Sequence, residues 1–480
     1  MPLRFICAIK GQQNHRLRLV LRLTRVDKRK FNFLELKLCK TAMATSTTIL
    51  DLNDECLTAI FEQLKGMRAK RNFSRTCDRF AKIYCNHYIH QLIVEGCDEH
   101  FFDSRLVTKF GHLIGTHLFP MKNIKSIKFD DTFALFFTER FFRKLRRDHQ
   151  TIESVELHGF ADKDLQNLLP LLKLKRLHLN YSHVTGNYID QMRNLEELIM
   201  DNVHDFESRH LVSILQRNKL RKLVARGCPS VFAKSDALEM VLNLNYLQEL
   251  EANWNEMRRC QSIGELPCLK VLIVNKFKTL QCRRCRKIER GDAMLPASGY
   301  YYGICECGLY EARELFRGLR KKHILEKLLF LGSRITTRDL TFISKLTSLK
   351  TLYMGVDNVP LYVSIAMFND LKELEEIDIG YSWKLPIEAL DFLIKCPKLK
   401  YVNFGNSQGF PEAFILEAIE VIKRREVRPA KPVRLQFMNP DFNREFLEDE
   451  RVKAAKPFLH IDHFQTVEMT RRLYNYIYYF

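Results

Sequence analysis

A six-residue pattern recurs through most of this 480-residue chain: two apolar anchors three positions apart and a third two positions further on. It reads IKSIKF from Ile124, IESVEL from Ile152, LKRLHL from Leu174, LEELIM from Leu195, LRKLVA from Leu220, LQELEA from Leu247 and LKVLIV from Leu269. After a longer gap it resumes as LEKLLF from Leu325, LKTLYM from Leu349, LEEIDI from Leu374 and LKYVNF from Leu399; an earlier IHQLIV from Ile89 fits the same frame. Most first anchors lie 21 to 28 residues apart. Side chains alternate along a strand, so the fourth and sixth positions of each unit share one face and the positions between them share the other. Segments such as TTRDLTFISKLTS from Thr336 return the chain as a helix or irregular stretch. A unit this short cannot bury its leucines alone, so neighbours must stack. The periodicity predicts an α/β solenoid with a curved parallel sheet on its concave face.

In LRKLVARGC, Cys228 stands where an asparagine or cysteine often closes the turn of such a unit. On these segments the chain resembles the leucine-rich-repeat family over residues 89–440, with VRLQF from Val433 as a last strand and residues 441–480 as a helical C-terminal cap. The resemblance implies that ligands meet the outward strand positions. Five of these are basic (Lys128, Arg176, Lys222, Arg226, Lys327) and eight acidic (Asp130, Glu156, Glu197, Asp201, Glu249, Glu251, Glu376, Asp378), with His158 and His178 among them. Phosphate contacts need clustered cations, so this face is a poor nucleic-acid surface. Around the later strands the outward positions turn apolar or aromatic, at Val271, Ile273, Leu329, Leu331, Tyr353 and Tyr401, which are the candidate substrate-binding residues.

Ahead of the repeats, ILDLNDECLTAIFEQL reads as a capped amphipathic helix. Asn53 is the N-cap, Asp54 and Glu55 sit at the positive end of the dipole, and Leu52 and Leu57 occupy staple positions. Leu57, Ile60, Phe61 and Leu64 follow helical spacing, and a second helix is predicted through NFSRTCDRFAKIYC, with Phe73, Cys77, Phe80, Ala81 and Tyr84 on one stripe. This unit, residues 47–88, placed directly before a repeat array, resembles an F-box followed by leucine-rich repeats. That is the family of substrate receptors in SCF-type cullin-RING ubiquitin ligases. The resemblance implies docking on the ligase adaptor through Leu50, Leu52, Asn53, Leu57, Ile60, Phe61 and Leu64, with a cullin scaffold beyond it and a protein substrate on the repeats. Asn53 stands where the family usually has proline, which implies weaker docking. The alternative reading makes the helical unit an N-terminal cap that keeps the first repeat covered, on a protein-binding scaffold with no ligase role.

Between the anchors at Leu269 and Leu325 the interval is 56, about one repeat plus some 30 residues, and residues 276–320 are read as an insertion. It holds CRRC and CEC, giving Cys282, Cys285, Cys305 and Cys307. Four thiolates in one loop suit a closed tetrahedral zinc site, which would be structural; free cysteines are the competing reading. No other cofactor is implied. The chain lacks a P-loop, a dinucleotide-binding glycine fingerprint, an HExxH motif and a nucleophile elbow, so a non-catalytic protein is expected.

The formal charge is +20, of which residues 1–42 hold +9, from 11 Lys/Arg against Asp27 and Glu35. Such a balance leaves a third reading open, a nucleic-acid or membrane-surface binder using the basic segments. Residues 1–46 are read as a disordered or dispensable basic extension, with Met43 a plausible alternative start. No window is apolar enough for a membrane span, and the dispersed cysteines read as reduced thiols of a cytoplasmic or nuclear protein.

Overall fold

The computed structural model of the chain describes residues 5–11, 17–23, 34–36, 52–64, 66–94, 100–102, 105–108, 123–129, 147, 150–169, 173–232, 243–257, 260–275, 312–331, 335–354, 364–379, 386–406, 412–425, 432–438 and 444–464. The chain divides into two compact units, Met1–Leu177 and His178–Phe480.

The first unit begins with three antiparallel strands, β1 (Phe5–Gly11), β2 (Leu17–Leu23) and β3 (Leu34–Leu36), in the order β1-β2-β3. Residues 1–46 were expected to be disordered, so this sheet is a correction. LRLVLRL places a leucine at every second position, which is the period of a strand. Reading the segment for its charge alone passes over that alternation.

Three helices follow: α1 (Asp54–Gln63), α2 (Met67–Ser74) and α3 (Asp78–Tyr88). Asn53 caps α1 as its sequence predicts, its Oδ1 accepting from the Cys56 amide at 2.9 Å. The single helix expected through NFSRTCDRFAKIYC is two, separated at residues 75–77. There the Thr76 hydroxyl donates to the Phe73 carbonyl at 2.8 Å, offering that carbonyl a partner outside the helical ladder. The Arg79 guanidinium donates twice to Asp54 Oδ1, at 2.9 and 2.7 Å, fastening the start of α3 to the start of α1. Phe61 is the hub of the core, with ring centroids 5.0 Å from Phe73, 6.2 Å from Tyr84 and 5.9 Å from Tyr88. Phe73 also stacks on Phe80 at 4.6 Å.

α3 runs directly into the first rung of the repeats, β4 (Gln91–Val94), with the amides of Lys125 and Ser126 both bonded to the His90 carbonyl. β7 (Ser126–Phe129) lies parallel to β4 and to β8 (Ser154–His158). On the other side of β4 lies the parallel β6 (Arg105–Thr108), and β5 (His100–Phe102) adds antiparallel to β6. The helices therefore share one compact unit with the first rungs, and the chain does not divide at the expected boundary of residues 88 and 89.

The division falls inside β9 (Arg176–Asn180). Among the described residues, ten strands follow in the second unit: β10 (Glu197–Asp201), β11 (Lys222–Arg226), β12 (Glu249–Asn253), β13 (Val271–Asn275), β14 (Lys327–Phe330), β15 (Thr351–Met354), β16 (Glu376–Asp378), β17 (Tyr401–Asn406), β18 (Val433–Met438) and β19 (Leu459–Phe464). Each is parallel to the next, in sequence order. The fourth positions of the repeats, Leu198, Leu223, Leu250, Leu272, Leu328, Leu352, Ile377 and Val402, continue through Leu435 in one register-matched column. None of these side chains is more than 1% exposed. The second unit is an α/β leucine-rich-repeat solenoid.

Return helices occupy the other side of the repeats. In Thr337–Ile343, Thr336 and Asp339 form a reciprocal cap, the Thr336 amide donating to Asp339 at 2.9 Å and the Asp339 amide to Thr336 Oγ1 at 3.2 Å. Cys228 closes its turn as expected: the buried thiol donates to the Arg226 carbonyl at 3.3 Å, and burial pushes its pKa up to about 12. Two expected boundaries move. Residues 441–480 are not only a helical cap, because β19 continues the sheet after the helix Glu450–Ala455. In LHIDHF, Leu459 and Ile461 repeat the apolar alternation, and Ile461 stands beside Leu435. The insertion also does not reach residue 320, since Arg313–Arg320 is the return helix between the directly paired β13 and β14.

That helix lies against the 3₁₀ turn Gln261–Glu265 at a glycine crossing. A Cβ on Gly264 would run into the Leu315 carbonyl oxygen, and one on Gly318 would come within 2.8 Å of the Gly264 carbonyl carbon. Backbone atoms cannot swing aside as a side-chain end can. Gly264→Ala is expected to destabilise the chain by about 1–3 kcal/mol or more, as overpacking does. A urea-denaturation midpoint equal to that of the native chain would contradict this close approach.

Candidate functional site

Strand positions of the second unit that flank the column residues point away from the leucine column. Because the strands are in register, these outward side chains form rows that run across the sheet. The rows divide into three zones.

At the first zone, five side chains on successive strands are joined. His178 Nε2 lies 2.7 Å from Asp201 Oδ2, and Arg226 Nη1 donates to Asp201 Oδ1 at 3.0 Å. The same guanidinium grips Glu251 with two bonds, at 2.5 and 2.7 Å, and Asn275 Nδ2 donates to Glu251 at 2.6 Å. A bidentate guanidinium–carboxylate contact is among the stronger polar interactions and is geometrically selective. Burial opposes the charge on Asp201, but the His178 bond and the Arg226 charge outweigh it and hold the carboxyl below its usual range. Beside this chain, Lys222 reaches Glu249 at 2.6 Å.

The middle zone is apolar. Val271 and Ile273 are half-buried. Leu329 keeps the outward register, between Ile273 and Tyr353, yet it is only 7% exposed. Leu331 lies past the end of β14 with its amide on the Val274 carbonyl at 2.7 Å, and it too is 7% exposed. These two leucines were expected to be exposed contact residues. They are instead floor, since large side chains stand on both sides of Leu329 in the row.

The third zone carries tyrosines and carboxylates. Tyr353 on β15 and Tyr401 on β17 hold their rings near parallel, at 14° with centroids 6.3 Å apart, on either side of β16 in the strand order. β16 supplies Glu376, which accepts from Tyr353 Oη at 3.1 Å, and Asp378, which accepts from Asn403 Nδ2 at 3.1 Å and Tyr401 Oη at 3.5 Å. Tyr401 Oη also lies 3.0 Å from Gln436 Oε1. Burial and then the neighbouring carboxylates push both phenol pKa values well up. Next in the sheet, Arg434 is paired to Asp462, which also meets His460 Nε2 at 3.1 Å. Asn275, Asn403, Arg434, Gln436 and Asp462 were absent from the sequence-based set. The signal for the last three was present in VRLQF and LHIDHF, where Arg434, Gln436 and Asp462 alternate with the apolar residues.

The remaining candidates lie elsewhere. Leu57, Ile60 and Phe61 are 0, 1 and 0% exposed, enclosed by the helical unit's own aromatic core. The Phe80 and Tyr84 rings of α3 pack on Phe61, at 6.4 and 6.2 Å, so the face of α1 expected to meet an adaptor is covered by the chain's own α3. Leu52 and Leu64 are half-buried and Asn53 is exposed. Leu50, Cys282, Cys285, Cys305 and Cys307 lie outside the described residues. Among the described residues no cluster of His, Cys, Asp or Glu is arranged to hold a metal, and no helix is long and apolar enough to cross a membrane.

No protein-family model and no curated protein sequence matches the chain. Among solved structures it is similar to an internalin from Listeria monocytogenes str. 4b F2365, at 13% identity and TM-score 0.42, over 86% of this chain and 94% of that one. It is also similar to the protein of a TLR13–ssRNA13 complex, at 12% identity and TM-score 0.32 over 68% of this chain and 48% of that one. A third is the plant peptide hormone receptor RGFR1 in complex with RGF2, at 12% identity and TM-score 0.26 over 78% and 69% of the two chains. With TM-scores this low, the leucine-rich-repeat fold rests on the strand order and the leucine column.

The first zone sets a pH dependence. A carboxyl held below its ordinary value of 3.8 contributes stability that is fully present above that pH and lost as the pH falls through the folded-state value. Asp201→Asn should lower the urea midpoint at pH 7 and flatten the loss of stability as the pH falls below 3.8. A variant that keeps the native acid limb would show that Asp201 does not contribute to it.

Proposed function

We propose that the chain is a non-catalytic leucine-rich-repeat scaffold that binds a protein partner on the outward strand face of the second unit. The supporting observation is the half-buried apolar pair Val271 and Ile273, set between two polar networks whose charged groups are mostly tied to one another. Such a patch excludes water well at its centre and is bounded by a polar rim, the anatomy of a protein-binding surface. Carboxylates on this face (Glu197, Asp201, Glu249, Glu251, Glu376, Asp378, Asp462) outnumber lysines and arginines (Lys222, Arg226, Lys327, Arg434), although the chain as a whole is +20. That argues against nucleic acid here.

A photo-cross-linking residue placed at Ile273 should trap a defined partner, and one at the exposed Ile387 of the helix Pro386–Lys395 should not. Purified partner should then bind the native chain and bind Ile273→Asp at least tenfold more weakly. Trapping from Ile387 alone would move the interface to the helical side.

The second reading adds an SCF-type ligase role, with the helical unit docking on the adaptor and the repeats presenting a protein substrate. Its support is that α1 to α3 form a unit with an aromatic core of their own and an exposed outer face on α1, at Glu55, Ala59, Glu62 and Gln63. Docking would use that outer face together with Leu52 and Leu64. The chain should co-purify with adaptor and cullin, and Ala59→Arg with Gln63→Arg should abolish capture while the urea midpoint stays native. Absence of capture by the native chain would leave the scaffold without a ligase.

A further inference from the structure

The scaffold reading assigns no chemistry to the partner, but the third zone of the outward face does. We propose that the site formed by Tyr353, Glu376, Asp378 and Tyr401 takes a basic side chain, arginine or lysine, presented by the protein partner. The proposal rests on the scaffold reading and narrows it.

Three features of the zone point to a cation. The first is charge. Two carboxylates, Glu376 and Asp378, stand together on β16, and the guanidinium of Arg434, two strands away on β18, is paired to Asp462 of β19. In the first zone the carboxylates have cationic partners: Glu249 has Lys222 at 2.6 Å, and Arg226 bonds both Glu251 and Asp201. Glu376 accepts instead from a neutral hydroxyl, Tyr353 Oη on its Oε2, so its negative charge is solvated but not cancelled by that bond.

The second feature is the pair of near-parallel tyrosine rings, whose two strands flank the one bearing both carboxylates. Ring faces attract ammonium and guanidinium groups, by about 0.5–1 kcal/mol when exposed and more when desolvated. A carboxylate beside an aromatic face supplies the charge-assisted bond that a guanidinium or ammonium group needs. An anionic side chain would meet the same carboxylates as repulsion.

The third is fixation. Tyr401 Oη is held by Gln436 and Asp378, and Asp378 is held in turn by Asn403 at 3.1 Å. Both rings are half-buried, so little side-chain freedom remains to be lost on binding. In the row of Tyr353, Leu329 on the next strand and Ile273 on the one beyond offer an apolar floor for the methylene stem of a lysine or arginine.

Fluorescence anisotropy on the full chain tests this with N-acetylated tetra-arginine, tetralysine and tetraglutamate peptides as probes. Tetra-arginine or tetralysine should bind, weakening with added salt, and tetraglutamate should not. Glu376→Gln should weaken binding at least tenfold. Glu420→Gln, the same charge change on the return helix Glu412–Lys423, should leave it unaltered. Tyr353→Leu, checked for a native urea midpoint, should weaken it as well. Failure of the native chain to bind either basic peptide, or equal effects of Glu376→Gln and Glu420→Gln, would overturn the proposal. If the partner is still trapped from Ile273 in that event, the scaffold reading stands and only the basic-residue assignment falls. Loss of both would remove the interface itself.

Discussion

The second unit depends on one arrangement, the register-matched column of apolar side chains that runs from Leu198 to Leu435. Burying a leucine is worth about 1.5–3 kcal/mol, but ordering a single strand and its return costs more conformational entropy than one or two leucines recover. Each rung is stable only because the next covers it. That is why the apolar spacing within the six-residue pattern is strict while the interval between patterns varies from 21 to 28 residues. Return segments can change length on the other side, and the interval of 56 is accepted without a break in the β13–β14 pairing.

A fixed column also fixes what faces away from it. Once Leu198 is beside Leu223, Asp201 must be beside Arg226, and the outward side chains meet at the strand spacing of about 4.8 Å. At that distance carboxylates, guanidinium groups and amides on neighbouring strands bond directly, which builds the chain from His178 to Asn275. Where the outward positions are Val271, Ile273 and Leu329 the same rule gives an apolar stripe. Where they are tyrosine and carboxylate it gives the zone around β16. The face thus passes from a network in which carboxylates bond to Lys222 and Arg226 to a zone in which Glu376 bonds to a neutral phenol, over a single continuous set of rungs.

The repeats were legible because their signal is local and periodic: every anchor from Leu195 to Leu399 lies in the column's frame. The outward face was legible as positions, less so as exposure. Leu329 has the expected direction but is covered, since exposure depends on the size of neighbours on other strands. Leu57, Ile60 and Phe61 form a helical stripe as expected, yet no periodicity says whether such a stripe meets a partner or the chain's own α3. The strands of residues 5–36 were hidden by their arginines, and β19 by following a segment that reads as a terminal cap. Where one helix becomes two, the Thr76 amide and hydroxyl both meet the Phe73 carbonyl, a local arrangement with almost no sequence signature.

Hydroxyl-radical footprinting of the second unit, with and without its bound partner, addresses the central claim most directly. If the outward strand face is the interface, Ile273, Tyr353 and Tyr401 lose reactivity on binding. Ile387 and Ile394, 75% and 60% exposed on the helical side, would keep theirs. Protection of the two isoleucines with no change at Ile273 and the tyrosines would contradict the account.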